Sequence, residues 1–140
     1  MIISERKRRI TQPKDVFDLI SEKLEREYYI DQSKEHFWVI GLNTKNVSQY
    51  IELVSLGGLN SCPVSSREIF QLAIIKAVAG IIAVHNHPSG DPEPSEDDMR
   101  TTKMLVEAGK ILDVKLIDHV VIGNFEHKPP FISCKERNII

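Results

Sequence analysis

The sequence predicts an α/β (α+β) domain, a β-sheet with helices packed against it. Three observations carry that expectation. Apolar residues recur at helical spacing in three separate stretches. Two runs, one around Trp38 and one from Ile81 to His87, have the length and apolar content of strands. The first of these runs into a turn and a returning strand, which reads as a hairpin. At 140 residues, 41% apolar and 27% charged, the chain fits one soluble domain with a single closed core.

The elements follow in order. Residues 1–9 read as a basic N-terminal tail, 10–133 as the domain and 134–140 as a C-terminal tail. Pro13 suits a first helical turn, and Val16, Leu19, Ile20, Leu24 and Tyr28 continue at helical spacing, giving a helix to about Tyr29. His36 to Leu42 is rich in β-formers, Asn43-Thr44-Lys45-Asn46 is a turn, and Val47 to Ser55 returns. Gly57-Gly58 breaks the chain before a short strand near Cys62 to Val64. Phe70, Ala73, Ile74, Ala77 and Val78 form a second amphipathic helix, which Gly80 is expected to end. Ile81 to His87 reads as a central strand covered on both faces. The proline-rich loop Pro88 to Pro94 is stiff and not helical. Ser95 begins a third helix, with Met99, Thr102, Leu105 and Val106 on one face, fading near Gly109 to Leu112. Val114 to Gly123 is a last strand, and Asn124 to Ile140, with Pro129-Pro130, reads as irregular.

Composition excludes some functions. A net charge of −2 gives no global attraction to nucleic acid or anionic lipid. No apolar run reaches membrane-span length, and the N-terminus has no stretch of signal-peptide length, so a cytoplasmic protein without membrane partners is expected. Cys62 and Cys134 stand alone, forming no zinc knuckle and no redox pair. Arg6-Lys7-Arg8-Arg9 is a basic cluster that could touch nucleic acid. Without interleaved aromatic residues, a solvated arm is the preferred reading.

The chemistry concentrates between His85 and Asp98. His85 and His87 are two apart on a strand, so alternation sends both side chains to one face at its C-terminal end. Ser95 and Asp98 fit a capping box, with Ser95 as N-cap. That first turn also aims Asp98 back at the histidines. Two neutral imidazoles and one carboxylate make a three-ligand zinc site with an open fourth position, the arrangement of a hydrolytic centre. Such a site needs a carboxylate near the ion to act as base. Glu35, opening the strand at His36, and Glu68, three residues after Ser65, are the candidates; a cap is the ordinary role for Glu68. Asp118-His119 reads as a pair of outer or structural groups, since three ligands are already found. His36 and His127 have no ligand spacing with anything nearby.

His-x-His, seven residues, Ser, two residues and Asp resembles the JAMM signature of the JAB/MPN domain. The RadC-like branch is closer still, on Arg67-Glu68-Ile69-Phe70, His85-Asn86-His87-Pro88-Ser89-Gly90-Asp91-Pro92, Pro94-Ser95 and Asp118-His119. The resemblance covers about Ile10 to Phe131. It implies a cytidine-deaminase-like sandwich, a curved mixed β-sheet flanked by helices. It implies zinc on His85, His87 and Asp98, oxyanion stabilisation by Ser95, and Glu35 as general base. Related JAMM proteins cleave peptide or isopeptide bonds, including ubiquitin-like linkages, so a peptide or protein substrate is expected. RadC-like proteins also carry a DNA-repair label, which makes a DNA-associated role in repair or mobile-element biology the alternative. Longer RadC-like chains often carry an N-terminal helix-hairpin-helix region that can bind DNA, whereas only about a dozen residues precede the first helix here. No long insertion of the kind used by ubiquitin-cleaving relatives is visible. A non-catalytic MPN module usually lacks the ligands present here. A nucleobase deaminase is excluded, because it needs His-x-Glu and Cys-x-x-Cys.

Overall fold

The computed structural model describes residues 1–27, 29–57 and 64–140. Among these residues, six strands form one sheet in the order β1-β3-β2-β4-β5-β6. Their ranges are β1 Ile2–Ser4, β2 His36–Leu42, β3 Ser48–Leu56, β4 Gly80–Asn86, β5 Lys115–Ile122 and β6 Phe131–Ser133. Of these six strands, β4 and β5 run parallel and the other neighbours are antiparallel. Among the described residues, four helices accompany them: α1 Pro13–Glu25, α2 Tyr29–Gln32, α3 Ser66–Ile75 and α4 Glu96–Leu112. The mixed sheet with helices on both sides is consistent with the JAB/MPN fold expected from the sequence.

The two central strands explain the layers. Every residue of β2 and β4 is buried. Along β2, Trp38, Ile40 and Leu42 join Val16, Phe17, Leu19 and Ile20 of α1 in one core. Phe37 and Val39 point the other way, to Ile69, Phe70 and Ala73 of α3 and Leu105 of α4. Strands covered on both faces lose the apolar/polar alternation, which is why both read as continuous apolar runs.

α4 is the crossover between the parallel strands, as parallel pairing requires. It starts at the C-terminal end of β4, so its first turn lies beside that strand end. A side chain on Gly123 would stand 2.2 Å from the Gly90 carbonyl oxygen and 2.7 Å from Pro92. Gly90 itself has φ +93°, a conformation that favours glycine. The Asn124 N–H donates to the Gly90 carbonyl at 2.7 Å and the His87 N–H to the Ile122 carbonyl at 2.8 Å. The loop after β4 is thereby fastened to the end of β5. Gly123→Ala is expected to push this loop off β5 and cost about 1–3 kcal/mol, read from urea unfolding.

Several sequence expectations need correction. The segment expected as a tail contains β1, which pairs with the edge of β3, and Arg9 bridges Val47. Three residues are too few for alternation to announce a strand. α1 ends at Glu25, short of Tyr29, and α2 follows. α3 ends at Ile75, ahead of Gly80. Ala77, at φ 51°, turns the chain, and the Val78 N–H donates back to the Ala73 carbonyl at 3.1 Å. Val78 still packs in the core beyond the helix end, so apolar periodicity outlasts the helix. The C-terminal stretch expected to be irregular holds β6. The strand expected near Cys62 lies outside the described residues except for Val64, which is not in a strand.

Cys134, placed by the sequence in the C-terminal tail, is fully buried, and its N–H donates to the His119 carbonyl at 2.9 Å. Burial pushes its thiol up to about 12. At pH 8 it therefore stays protonated and unreactive. Iodoacetamide mapping by mass spectrometry is expected to modify Cys134 only after denaturation.

Candidate metal centre

The sheet register builds the centre. β2 pairs antiparallel with β4, Phe37 opposite His85. Partners in such a pair share a face, so the rings of Phe37 and His85 stack at 5.8 Å. Two residues outward in each direction, Glu35 comes level with His87. The capping turn of α4 supplies Asp98. Among the described residues, ligand atoms of Glu35, His85, His87 and Asp98 all lie within 4.8 Å of one another.

Three of the four are closer still. His85 Nε2 is 3.0 Å from Asp98 Oδ1, His87 Nε2 is 2.9 Å from Asp98 Oδ2, and the two Nε2 atoms are 3.1 Å apart. His87 Nδ1 lies 2.8 Å from the Asp91 carbonyl oxygen, which can only accept. A neutral His87 therefore has its proton on Nδ1 and presents a lone pair from Nε2. Lone pairs and carboxylate oxygens packed at about 3 Å repel unless a shared proton or a metal ion sits among them. The donor set of two imidazole nitrogens and a carboxylate thus fits a metal ion.

Electrostatics couple the same groups. Burial disfavours the Asp98 carboxylate, but hydrogen bonds from His85 and His87 outweigh that and hold it well below the usual carboxylate range. Burial likewise opposes charge on His87, yet Asp98, the Asp91 carbonyl and the charge of Glu35 together raise its pKa. His119, fully buried behind the site, is driven down to about 3 by burial and by the neighbouring His85.

Both proposed roles of the Ser95–Asp98 pair coexist. The Asp98 N–H donates to Ser95 Oγ at 3.1 Å and the Ser95 N–H donates to Asp98 Oδ2 at 2.8 Å, a closed capping box. Ser95 is exposed, and the cap uses its oxygen as acceptor, so its hydroxyl proton is still available. Of the two candidate glutamates, Glu35 is the one that the cluster includes. Glu68 sits in the first turn of α3, its N–H bonded to Ser65 Oγ at 3.3 Å, and is not part of the cluster. Glu35 is half-buried and takes part in the cluster.

Asp118 and His119 divide. His119 Nε2 meets His85 Nδ1 at 2.8 Å, the kind of outer partner that a ligating histidine would need. Asp118 faces away, accepting from Ser133 Oγ at 2.6 Å and from the Lys135 N–H at 3.0 Å. His36 stacks on Trp38 at 4.9 Å and His127 bonds the Pro129 carbonyl, and neither is part of the cluster.

Asn86 escaped the sequence reading. It lies between the two histidines but points to the opposite face. Its Oδ1 accepts from the His36 N–H at 2.6 Å and its Nδ2 donates to the Lys34 carbonyl at 3.0 Å. One side chain thus clamps the backbone on both sides of Glu35. Its place between two histidines on a strand was the available signal, since alternation sends it across the sheet towards the neighbouring strand's start.

The family model that matches is the RadC-like JAB domain, over residues 10–139. The chain belongs to the RadC-like JAB family. Among relatives, a UPF0758 protein of Caldanaerobacter subterraneus is 50% identical over 128 residues, covering 91% of this chain and 51% of the relative. A UPF0758 protein of Methanosarcina mazei is 41% identical over 138 residues, covering 99% and 56%. One from Clostridium acetobutylicum is 44% identical over 132 residues, covering 94% and 54%. This RadC-like chain spans about half the length of the curated relatives it matches. Among its described residues, no helix is long and apolar enough to cross a membrane.

Proposed function

We propose that this RadC-like JAB domain is a zinc-dependent hydrolase of the JAMM type, acting on a peptide or isopeptide bond. The observation that carries the reading is the cluster itself: three donors mutually about 3 Å apart, with a fourth carboxylate, Glu35, inside the same 4.8 Å limit. His85, His87 and Asp98 would hold the ion. Zinc there would supply Lewis acidity and make water a nucleophile near neutral pH.

The chain's own residues do the rest. Glu35 takes the proton of the attacking water and returns it to the leaving amine. Asn86 keeps the backbone around Glu35 in place, so the carboxylate does not swing out with the strand end. Ser95 turns its unspent hydroxyl proton to the developing oxyanion. Pro88, Pro92 and Pro94 stiffen the loop that separates the histidines from Asp98.

The Arg6–Arg9 arm is the only local support for a nucleic-acid role. Within it, Lys7 Nζ donates to Gln49 at 2.7 Å and Arg8 lies 3.9 Å from Glu22, so part of the arm is turned to the protein. The hydrolase reading is tested by screening zinc-loaded protein against peptide and isopeptide libraries. Cleavage by the parent and none by Glu35→Gln supports it. Equal cleavage by both would remove Glu35 as base, and none by either removes the activity.

A further inference from the structure

Behind the metal centre runs a chain of hydrogen bonds that leaves the site and returns to it. His85 Nδ1 meets His119 Nε2 at 2.8 Å. His119 Nδ1 meets Thr102 Oγ1 at 2.6 Å. Thr102 Oγ1 meets the backbone carbonyl oxygen of Asp98 at 2.8 Å. The chain therefore begins on one ligand, His85, and ends on the backbone of another, Asp98. His85, Thr102 and His119 are all buried, so none of these contacts can be exchanged for bulk water.

Counting protons shows what the chain does. The Thr102 hydroxyl has one hydrogen and two strong acceptors to give it to, with the Cys134 thiol a weaker third neighbour. Pointed at the Asp98 carbonyl, it leaves its oxygen to accept from His119 Nδ1–H. His119 Nε2 then accepts from His85 Nδ1–H, and His85 Nε2 is left with a lone pair facing the cluster. Pointed at His119 Nδ1, it gives up the bond to the Asp98 carbonyl and reverses the two histidine bonds, and His85 Nε2 carries a hydrogen into the cluster. Only the first direction lets His85 ligate a cation through Nε2 without leaving a buried N–H unpaired.

We infer that Thr102 and His119 are positioning residues that set which nitrogen His85 offers to the metal, by passing its Nδ1 hydrogen bond on to the Asp98 carbonyl. The inference rests on the metal-binding part of the proposed function and not on hydrolysis. The chain also ties β4, β5 and the first turns of α4 together through side chains, so the two ligands cannot drift apart independently. Thr102 sits four residues after Asp98, one helical turn on, which is why its hydroxyl reaches that carbonyl.

The test is metal affinity, measured by competition with a chromophoric chelator, on two opposite variants. Thr102→Val keeps the shape and the methyl group but removes the acceptor. Thr102→Ser keeps the hydroxyl but removes the methyl. Zinc affinity is expected to fall about 10- to 100-fold in Thr102→Val. In Thr102→Ser it is expected to stay near the parent value. A packing role would give the reverse order and overturn the inference, as would parent-like affinity in a folded Thr102→Val protein. The second readout is the histidine tautomer from long-range nitrogen–proton correlation spectra of the zinc-loaded parent. His119 is expected to be protonated on Nδ1; protonation on Nε2 would overturn the inference. A parent chain that binds no zinc at all would remove it together with the metal reading. A parent chain that binds zinc but cleaves nothing removes only the hydrolase.

Discussion

Asp98→Ala is expected to lower zinc affinity by more than about 100-fold, the largest effect on binding of any single change here. The reason is geometric. Asp98 offers one oxygen to each histidine, Oδ1 at 3.0 Å from His85 Nε2 and Oδ2 at 2.9 Å from His87 Nε2. Two imidazoles alone cannot complete a three-donor set. The same substitution also opens the capping box, because Asp98 Oδ2 accepts from the Ser95 N–H at 2.8 Å. Loss of such a cap costs about 1 kcal/mol. Asp98→Asn separates the two effects. Its amide oxygen can still close the cap, so unfolding in urea should stay close to the parent while zinc affinity falls. An Asp98→Asn protein binding zinc like the parent would show that charge at this position is not needed.

Glu35→Gln is expected to leave zinc binding at one ion per chain and lower hydrolysis of whichever peptide the parent cleaves by about 10²- to 10⁴-fold. The amide has the same shape, so Asn86 can hold the backbone at Lys34 and His36 as before. What it lacks is a carboxylate able to take a proton. Zinc content by elemental analysis and turnover on the same sample make the check. Lost zinc in Glu35→Gln would make Glu35 a ligand, and unchanged turnover would make it a bystander.

Much of this site was legible in the sequence because its parts are local. His85 and His87 are two apart on a strand, and Ser95 and Asp98 are three apart across a helix start, so simple periodicity puts each pair on one face. The burial of β4 followed from its unbroken apolar run. Glu35 was harder. Its place depends on the pairing of Phe37 with His85, 48 positions apart in the chain, and Glu68 had similar local credentials. Thr102 read only as one residue of a helix face, and Asn86 only as the residue between two ligands. Both act through partners brought from other strands, which no local pattern reports. The edge elements failed for another reason. β1 and β6 have three residues each, and their partners, β3 and β5, determine their conformation.

The central claim is that one cation is held by His85, His87 and Asp98. Anomalous diffraction from zinc-soaked crystals, collected at the zinc edge, tests it most directly. A single peak within about 2.0–2.2 Å of His85 Nε2, His87 Nε2 and an Asp98 carboxylate oxygen is the expected result. Saturating zinc with no peak there, or a peak bound only by other side chains, would contradict it.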